Sequence, residues 1–271
     1  MNFGEWKDII LLVLGFLLSI GAGLVGAYLQ RRMDRRLERR PLNQLLNFGP
    51  DSLLFIFPHR DAAPEAILPR TSTEDFLAMN NVISALLKAD WNRKIGVRDT
   101  TRVIESDKRR NLVIICSPKS NSLATIFQDE LRRAHPNAFT FESEGDRVCI
   151  SDGDNAHYHS KSYEQVESYL HSGVARRDLP SKAYEDYAVV TKVTNPWNEK
   201  TKVVWVAGIR GIGTWGAAEC IKKEWRQIYE QLPRDRKDLD FSALLKIEYD
   251  HCDITSVDVR RVEPLGRGKV V

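Results

Sequence analysis

The chain has 271 residues, of which 42% are hydrophobic and 28% are charged, and its formal net charge is +3. These values are ordinary for a globular protein and exclude a largely disordered chain. The positive charge is concentrated in residues 30–40, which contain six arginines and two acidic residues, so the rest of the chain carries a net charge of −1. A nucleic-acid-binding domain needs positive charge on its folded surface. We therefore expect no nucleic-acid partner.

The N-terminal region contains one apolar segment long enough to cross a membrane. Ile9–Leu29 has 21 residues and no charge, and a helix of that length spans about 30 Å, the thickness of the bilayer core. A cleaved secretory signal is the alternative, with Val25-Gly26-Ala27 as its cleavage site. The length of the segment, its non-basic N-terminal flank and the arginines that follow it favour a membrane anchor.

The charges on the two flanks of this segment predict its orientation. Lys7 is the one basic residue before it, whereas six arginines follow it within eleven residues, and positive flanks stay in the cytoplasm. We predict a short extracytoplasmic tail (1–8), a transmembrane helix (9–29), a basic juxtamembrane helix and linker (30–50) and a cytoplasmic domain (51–271). The predicted location is the inner, plasma membrane.

Small residues recur every fourth position along the predicted anchor. Gly15, Ser19, Gly23 and Ala27 share one helix face, and such a face lets two membrane helices approach closely. This pattern favours a homodimer formed through the anchor, although glycine is also common in membrane helices that do not associate.

Apolar runs alternate with amphipathic stretches through the rest of the chain. Residues 53–57 and 112–116 read as buried strands, and helices are expected at about 74–88, 123–133 and 215–231. Two strand pairs, 187–193 with 202–207 and 244–249 with 254–262, are separated by short turns. Alternating strands and helices predict an α/β domain with three layers and a mixed, mostly parallel sheet.

A glycine-rich segment lies between a predicted strand and a predicted helix. Gly211, Gly213 and Gly216 spell G-x-G-x-x-G, and Gly208, Arg210 and Thr214 lie in the same loop. Glycines let backbone amides approach a phosphate, and a helix N-terminus favours negative charge. The segment resembles the phosphate loop of Rossmann-like nucleotide-binding domains, over about 30 residues. A tight structural turn is the alternative explanation.

This resemblance implies a Rossmann-like fold and a nucleotide or phosphorylated ligand, as in bacterial membrane-anchored sensor or effector proteins. The motif lies late in the chain, and the strand after it lacks a clearly placed acidic residue to bind a ribose at its end. Both features argue against a dinucleotide such as NAD or FAD, so no cofactor is assigned.

A second polar loop occupies an equivalent position after the strand at 112–116. It contains Ser117, Lys119, Ser120 and Asn121, which can contribute a cation, hydroxyl groups and an amide to a bound phosphate. Parallel strands bring such loops to one edge of a sheet, where α/β proteins bind ligands. A third loop, with His59, Arg60 and Thr71, is expected near the same edge.

The segment Asp152–His159 contains two aspartates and a His-x-His pair, which are suitable ligands for a divalent ion. The same residue types also form surface turns, and no His-rich partner segment exists elsewhere. We therefore predict no metal site there.

The function predicted from these patterns is ligand-dependent sensing or effector activity at the membrane. No nucleophile elbow, metalloprotease helix or Walker lysine is present, so no catalytic residue is assigned. A hydrolase or transferase acting on a nucleotide-like substrate is one alternative, and a ligand-free membrane scaffold is another.

Overall fold

Ten strands and six helices make up the described part of the chain. The computed structural model describes residues 41–48, 51–59, 71–145, 147–161, 168, 172–173, 184–233, 240–251 and 253–266. The strands are β1 (Leu53–Phe57), β2 (Ile95–Asp99), β3 (Asn111–Ile115), β4 (Thr140–Glu144), β5 (Arg147–Ser151), β6 (His157–Tyr158), β7 (Tyr184–Asn195), β8 (Asn198–Gly208), β9 (Asp240–Asp250) and β10 (Asp253–Leu265). The helices are α1 (41–46), α2 (Thr73–Lys88), α3 (Glu105–Lys108), α4 (Ser122–Ala134), α5 (Gly211–Glu219) and α6 (Trp225–Gln231).

Seven strands form one mixed sheet in the order β10-β9-β7-β8-β3-β1-β2. The neighbours β2, β1, β3 and β8 are parallel, whereas β8, β7, β9 and β10 pair antiparallel. The mixed α/β architecture is confirmed, but only three of the six neighbour pairings are parallel, so the sheet is not mostly parallel. The reason is local: two hairpins with short turns, β7–β8 and β9–β10, can only pair antiparallel.

Both faces of this sheet are buried, which produces three layers. One face packs against α1, α2, α5 and α6, with Phe55 and Val206 among its strand residues. The other face packs against α4 and a small sheet formed by β4, β5 and β6, with Trp205 at its centre. Strands buried on both faces need an apolar residue at nearly every position, and every residue of β1 and β3 is buried.

Two of the helices, α2 and α4, begin where the sequence provides a side-chain cap. Ser72 caps α2 by accepting a hydrogen bond from the N–H of Asp75 (3.1 Å), and Asn121 caps α4. The helix predicted at 215–231 is interrupted: α5 and α6 are separated by a π-helical turn, Cys220–Glu224. Such a turn inserts one extra residue into the helix.

The compact unit includes residues that precede the predicted domain boundary at residue 51, and that boundary stays a prediction. One compact unit extends from Leu42 to Val271, and Leu42, Leu45 and Leu46 of α1 are buried in its core. None of the helices in the described ranges is long and apolar enough to cross a bilayer. The predicted anchor, Ile9–Leu29, and its small-residue face lie outside those ranges.

Candidate functional site

Both predicted loops lie at the carboxyl edge of adjacent parallel strands. β3 pairs with β8, and the N–H of Cys116, just after β3, donates to the carbonyl of Val206 (2.9 Å). The helix after β3 packs on one face of the sheet, whereas α2 and α5, which come after the neighbouring strands β1 and β8, pack on the other. Where successive connections leave to opposite faces, α/β sheets form the crevice in which they bind ligands.

The loop after β3 is a tight turn with three uncommitted polar side chains. The carbonyl of Ser117 accepts hydrogen bonds from the N–H groups of Ser120 and Asn121, each at 3.1 Å. The hydroxyls of Ser117 and Ser120 make no hydrogen bond to described residues, and exposed Lys119 makes no ion pair with them. Lys119 and Ser120 are exposed and available to a ligand, whereas Ser117 is only 3% exposed.

Asn121 differs from its neighbours because its side chain is fully used by the fold. Its Oδ1 accepts from the N–H groups of Leu123 (3.1 Å) and Ala124 (3.3 Å), and its Nδ2 donates to the carbonyl of Ile115 (2.9 Å). The residue is buried. It therefore joins the end of β3 to the start of α4, and a ligand role for it remains a prediction.

Cys116 holds an unusual backbone conformation directly before this turn. Its φ is 84°, a region that non-glycine residues rarely occupy. Two hydrogen bonds stabilise this conformation. One joins the N–H of Cys116 to the carbonyl of Val206, and in the other the indole Nε1 of Trp205 donates to the Cys116 carbonyl (3.0 Å). Residues in such conformations cluster at binding and catalytic sites.

The glycine-rich loop uses its amides within the fold. The N–H of Gly208 donates to Thr214 Oγ1, that of Ile209 to the carbonyl of Tyr187, and that of Arg210 to Asp186 Oδ2, each at 3.0 Å. These three donors are not available to a phosphate.

The glycines of this loop also lie against other atoms at close range. A Cβ atom on Gly208 would collide with the backbone of Gly213 and Thr214, and one on Gly216 would lie 2.6 Å from Ile247 Cγ2. Gly211 is less crowded, since its nearest neighbours are side-chain atoms of Glu74 at 3.3 Å. Close packing of α5 on the sheet therefore accounts for these glycines, and phosphate binding by Gly208, Arg210, Gly211, Gly213 and Thr214 remains a prediction.

A buried carboxylate that the sequence analysis missed lies beneath this loop. Asp186 is fully buried, and its Oδ1 has no hydrogen-bond partner in the described part of the chain. Burial raises the pKa of Asp186 to about 7, although the N–H and the charge of Arg210 act in the opposite direction. No local signal in the sequence marks Asp186, because β7 also contains Glu185 and Lys192.

The third predicted loop places a histidine next to an acidic residue at the ends of β1 and β2. His59 Nδ1 lies 3.7 Å from Asp99 Oδ1. Burial alone would raise the pKa of Asp99, but hydrogen bonds from Thr101 and the charges of Arg102 and His59 outweigh it and lower the pKa. Thr71 is exposed, and Arg60 lies outside the described residues.

The end of β2 is joined to the start of α4. Thr100 Oγ1 lies 2.9 Å from Ser122 Oγ and accepts from the N–H of Leu123 (3.2 Å). The His59–Asp99 pair and the turn at Ser117–Asn121 therefore belong to the same edge of the sheet.

Comparisons with protein-family models, with curated proteins and with solved structures gave no match.

The aspartates of the segment Asp152–His159 do not join its histidines. Asp152 accepts from the N–H groups of Asp154 (3.0 Å) and Ala156 (2.9 Å) and forms an ion pair with Arg261 (3.0 Å). Asp152 thus organises a turn. His157 and His159 instead face glutamates of β4.

Proposed function

We propose that the unit Leu42–Val271 is a Rossmann-like domain that binds a nucleotide or another phosphorylated small molecule at the carboxyl edge of β3. The observation that carries this proposal is the turn at Ser117–Asn121, where Ser117, Lys119 and Ser120 have uncommitted polar groups. A lysine and two hydroxyls beside a helix N-terminus are suitable partners for an anionic group.

The position of this turn supports the same conclusion. It follows the strand whose helix leaves to the opposite face from those of its neighbours, the place where open α/β sheets bind ligands. The strained backbone of Cys116 immediately before it is a further feature of functional loops. In this proposal the glycine-rich loop forms one wall of the site and does not supply the main donors.

We place this domain on the cytoplasmic side of a membrane, held by the predicted helix Ile9–Leu29, where ligand binding would act as a sensor or effector signal. The charge asymmetry of the two flanks supports this orientation. A tag after Val271 should resist protease added to intact cells. Digestion of the tag without lysis would show that the C-terminal domain lies outside the cytoplasm.

Binding is tested by a thermal-shift screen of the full-length chain against mono- and dinucleotides and inorganic phosphate, followed by calorimetric titration of the compound that stabilises it. Lys119→Ala should weaken binding by about ten- to a hundredfold, which corresponds to the loss of roughly 1.5–3 kcal/mol. Ser117→Ala should weaken it less, since a neutral hydroxyl is lost.

Lys200→Ala is the matched control. Lys200 is also exposed, but it lies near the N-terminal end of β8, at the opposite end of the strand from the glycine-rich loop. Equal affinity for wild type and Lys119→Ala would remove Lys119 from the site. If none of these compounds binds, the ligand-free scaffold becomes the better explanation.

A second candidate function, a hydrolase or transferase, is favoured by the His59–Asp99 pair. A carboxylate beside Nδ1 orients an imidazole so that its other nitrogen can act as a base. If the site is catalytic, the full-length chain should convert the bound nucleotide, and His59→Gln and Asp99→Asn should abolish product while leaving binding within a fewfold of wild type. Binding without turnover by the wild type would leave the sensor function.

A further inference from the structure

The small sheet formed by β4, β5 and β6 gathers three different ligating groups at one point. A carboxylate oxygen of Glu144, the sulfur of Cys149 and a ring nitrogen of His157 all lie within 4.8 Å of one another. Each comes from a different strand of the sheet. Three donors at this mutual spacing can surround a single metal ion.

The strand register explains why these side chains meet. Glu142 pairs with Cys149, and Ser151 pairs with His157, and directly paired residues of an antiparallel sheet point to the same face. Glu144 shares this face because it lies two residues from Glu142. The alternate residues Phe141 and Ile150 point to the other face and are buried in the main core. The register therefore places Glu144, Cys149 and His157 on one face of the small sheet.

Further charged groups surround this cluster. His157 Nε2 lies 3.5 Å from Glu142 Oε2, and His159 Nε2 lies 3.8 Å from Glu144 Oε2. Arg132 approaches Glu142 to 3.6 Å and partly neutralises it. His159 is thus the better fourth donor, and its position two residues after His157 resembles the short spacings by which two histidines share a metal.

We propose that Glu144, Cys149 and His157 bind one Zn²⁺ ion, with His159 or water as the fourth ligand. A sulfur, an imidazole nitrogen and a carboxylate oxygen together suit zinc better than the harder ions Mg²⁺ and Ca²⁺, which prefer oxygen alone. The ion would cross-link all three strands. This matters most for β6, which has only two residues and two pairing positions.

Ion pairs between His157 and the two glutamates are the alternative explanation for the cluster, in which the buried thiol of Cys149 only donates to the carbonyl of Glu142 (3.8 Å). A metal ion would bind the sulfur as a thiolate and balance the charge of the nearby carboxylates.

Cobalt is the most direct probe, because Co²⁺ occupies zinc sites and reports its ligands in its absorption spectrum. Titration of the full-length, reduced chain with Co²⁺ should give a sulfur-to-cobalt charge-transfer band in the near ultraviolet that saturates at about one ion per chain. Zn²⁺ should displace the cobalt and raise the thermal unfolding midpoint.

Variants identify the ligands. Cys149→Ser should remove the charge-transfer band, and His157→Ala and Glu144→Gln should each weaken cobalt binding by at least about tenfold. Cys220→Ala is the control for the thiol, since Cys220 is buried in the main core, and His135→Ala is the control for the imidazole; both should retain the band. Because His157 and Glu144 are exposed, their replacement is compatible with folding, which circular dichroism checks.

Absence of the band in the wild type, or its persistence in Cys149→Ser, would overturn the proposal. Equal loss of the band in Cys220→Ala would also overturn it, because the sulfur ligand would then be elsewhere.

Discussion

The carboxylate of Asp186 occupies the space that a side chain at Gly213 would need. Asp186 lies on β7 and Gly213 in the first turn of α5, so the helix can approach the sheet closely only because residue 213 has no Cβ. The same carboxylate accepts the N–H of Arg210. The glycine and the acid are therefore two parts of one packing arrangement, in which α5 begins directly above a buried charge.

This arrangement predicts opposite outcomes for two glycines of the same turn. Gly213→Ala should destabilise the fold by about 1–3 kcal/mol, because the added methyl group meets buried backbone and carboxylate atoms. Gly211→Ala should change stability by less than about 1 kcal/mol, because its neighbours are atoms of the flexible Glu74 side chain. Chemical denaturation of both variants measures the difference. Equal losses would mean that the crowding around Gly213 does not explain why this position requires a glycine.

The buried acid also predicts a specific pH dependence. Burial raises the pKa of Asp186 to about 7, so between about pH 4 and pH 7 the folded protein holds a proton that the unfolded chain releases. Stability should therefore fall as pH rises through that window, by up to about 1.4 kcal/mol per pH unit, and this contribution should be constant above it.

Asp186→Asn should remove this slope because the amide does not ionise. Urea midpoints of wild type and variant at about pH 5 and about pH 7.5 test this, and other titrating groups cancel in the difference between the two proteins. The same slope in both proteins would show that Asp186 is already ionised at pH 5.

The alternation of strands and helices could be predicted from the sequence because apolar runs and capping residues are local signals. The runs at β1 and β3 and the helix after Asn121 lie where the pattern places them. The proportion of parallel pairings was wrong because, besides the two hairpins, β7 also pairs antiparallel with β9, and local patterns do not reveal a pairing between strands so far apart in the chain. The buried face of α2 consists of smaller residues, since Ala78, Val82 and Ala85 are buried while Phe76 is 48% exposed.

The candidate site was harder to predict because the roles of its residues depend on distant partners. Nothing near Arg210 in the sequence indicates that its amide donates to Asp186, twenty-four residues earlier. The glycine motif therefore predicted open donors where the fold uses them internally. Lys119 and Ser117 could be named as candidates because they follow a buried strand, and such a strand can be recognised from the sequence alone.

The capping role of Asn121 predicts a large loss of stability on truncation. Asn121→Ala would remove the hydrogen bonds of this side chain to the N–H of Ala124 and the carbonyl of Ile115, and would leave the N–H of Leu123 only its bond to Thr100 Oγ1, at a cost of about 2–4 kcal/mol. Asn121→Asp keeps the acceptor oxygen, and its stability should lie between those of wild type and Asn121→Ala. Ser120→Ala is the control, because that exposed hydroxyl has no partner among the described residues, and its effect should stay within about 0.5 kcal/mol. A small loss for Asn121→Ala would indicate that water replaces the cap.

The short helix α1 predicts where the folding unit must begin. Leu42, Leu45 and Leu46 are each at most 4% exposed. Gln44 accepts hydrogen bonds through both its backbone and its side chain. Its carbonyl accepts from buried Lys192 (3.3 Å), and its side-chain Oε1 accepts from the Tyr229 hydroxyl (2.6 Å). A segment read from the sequence as a linker is thus part of the core.

A fragment that starts at residue 47 should therefore be far less stable than one that starts at Leu42. Three buried leucines contribute about 1.5–3 kcal/mol each, which is comparable to the whole stability of an ordinary domain.

The milder variant Leu45→Ala should lose about 2–5 kcal/mol, which shifts the unfolding midpoint of a domain of this size by roughly 2–4 °C per kcal/mol. Leu87→Ala, on a helix surface where the side chain is 62% exposed, is the matched control and should lose less than about 1 kcal/mol. Calorimetry of the two fragments and the two variants measures these losses. Equal midpoints for the fragments would show that α1 is dispensable and return the start of the domain to residue 51.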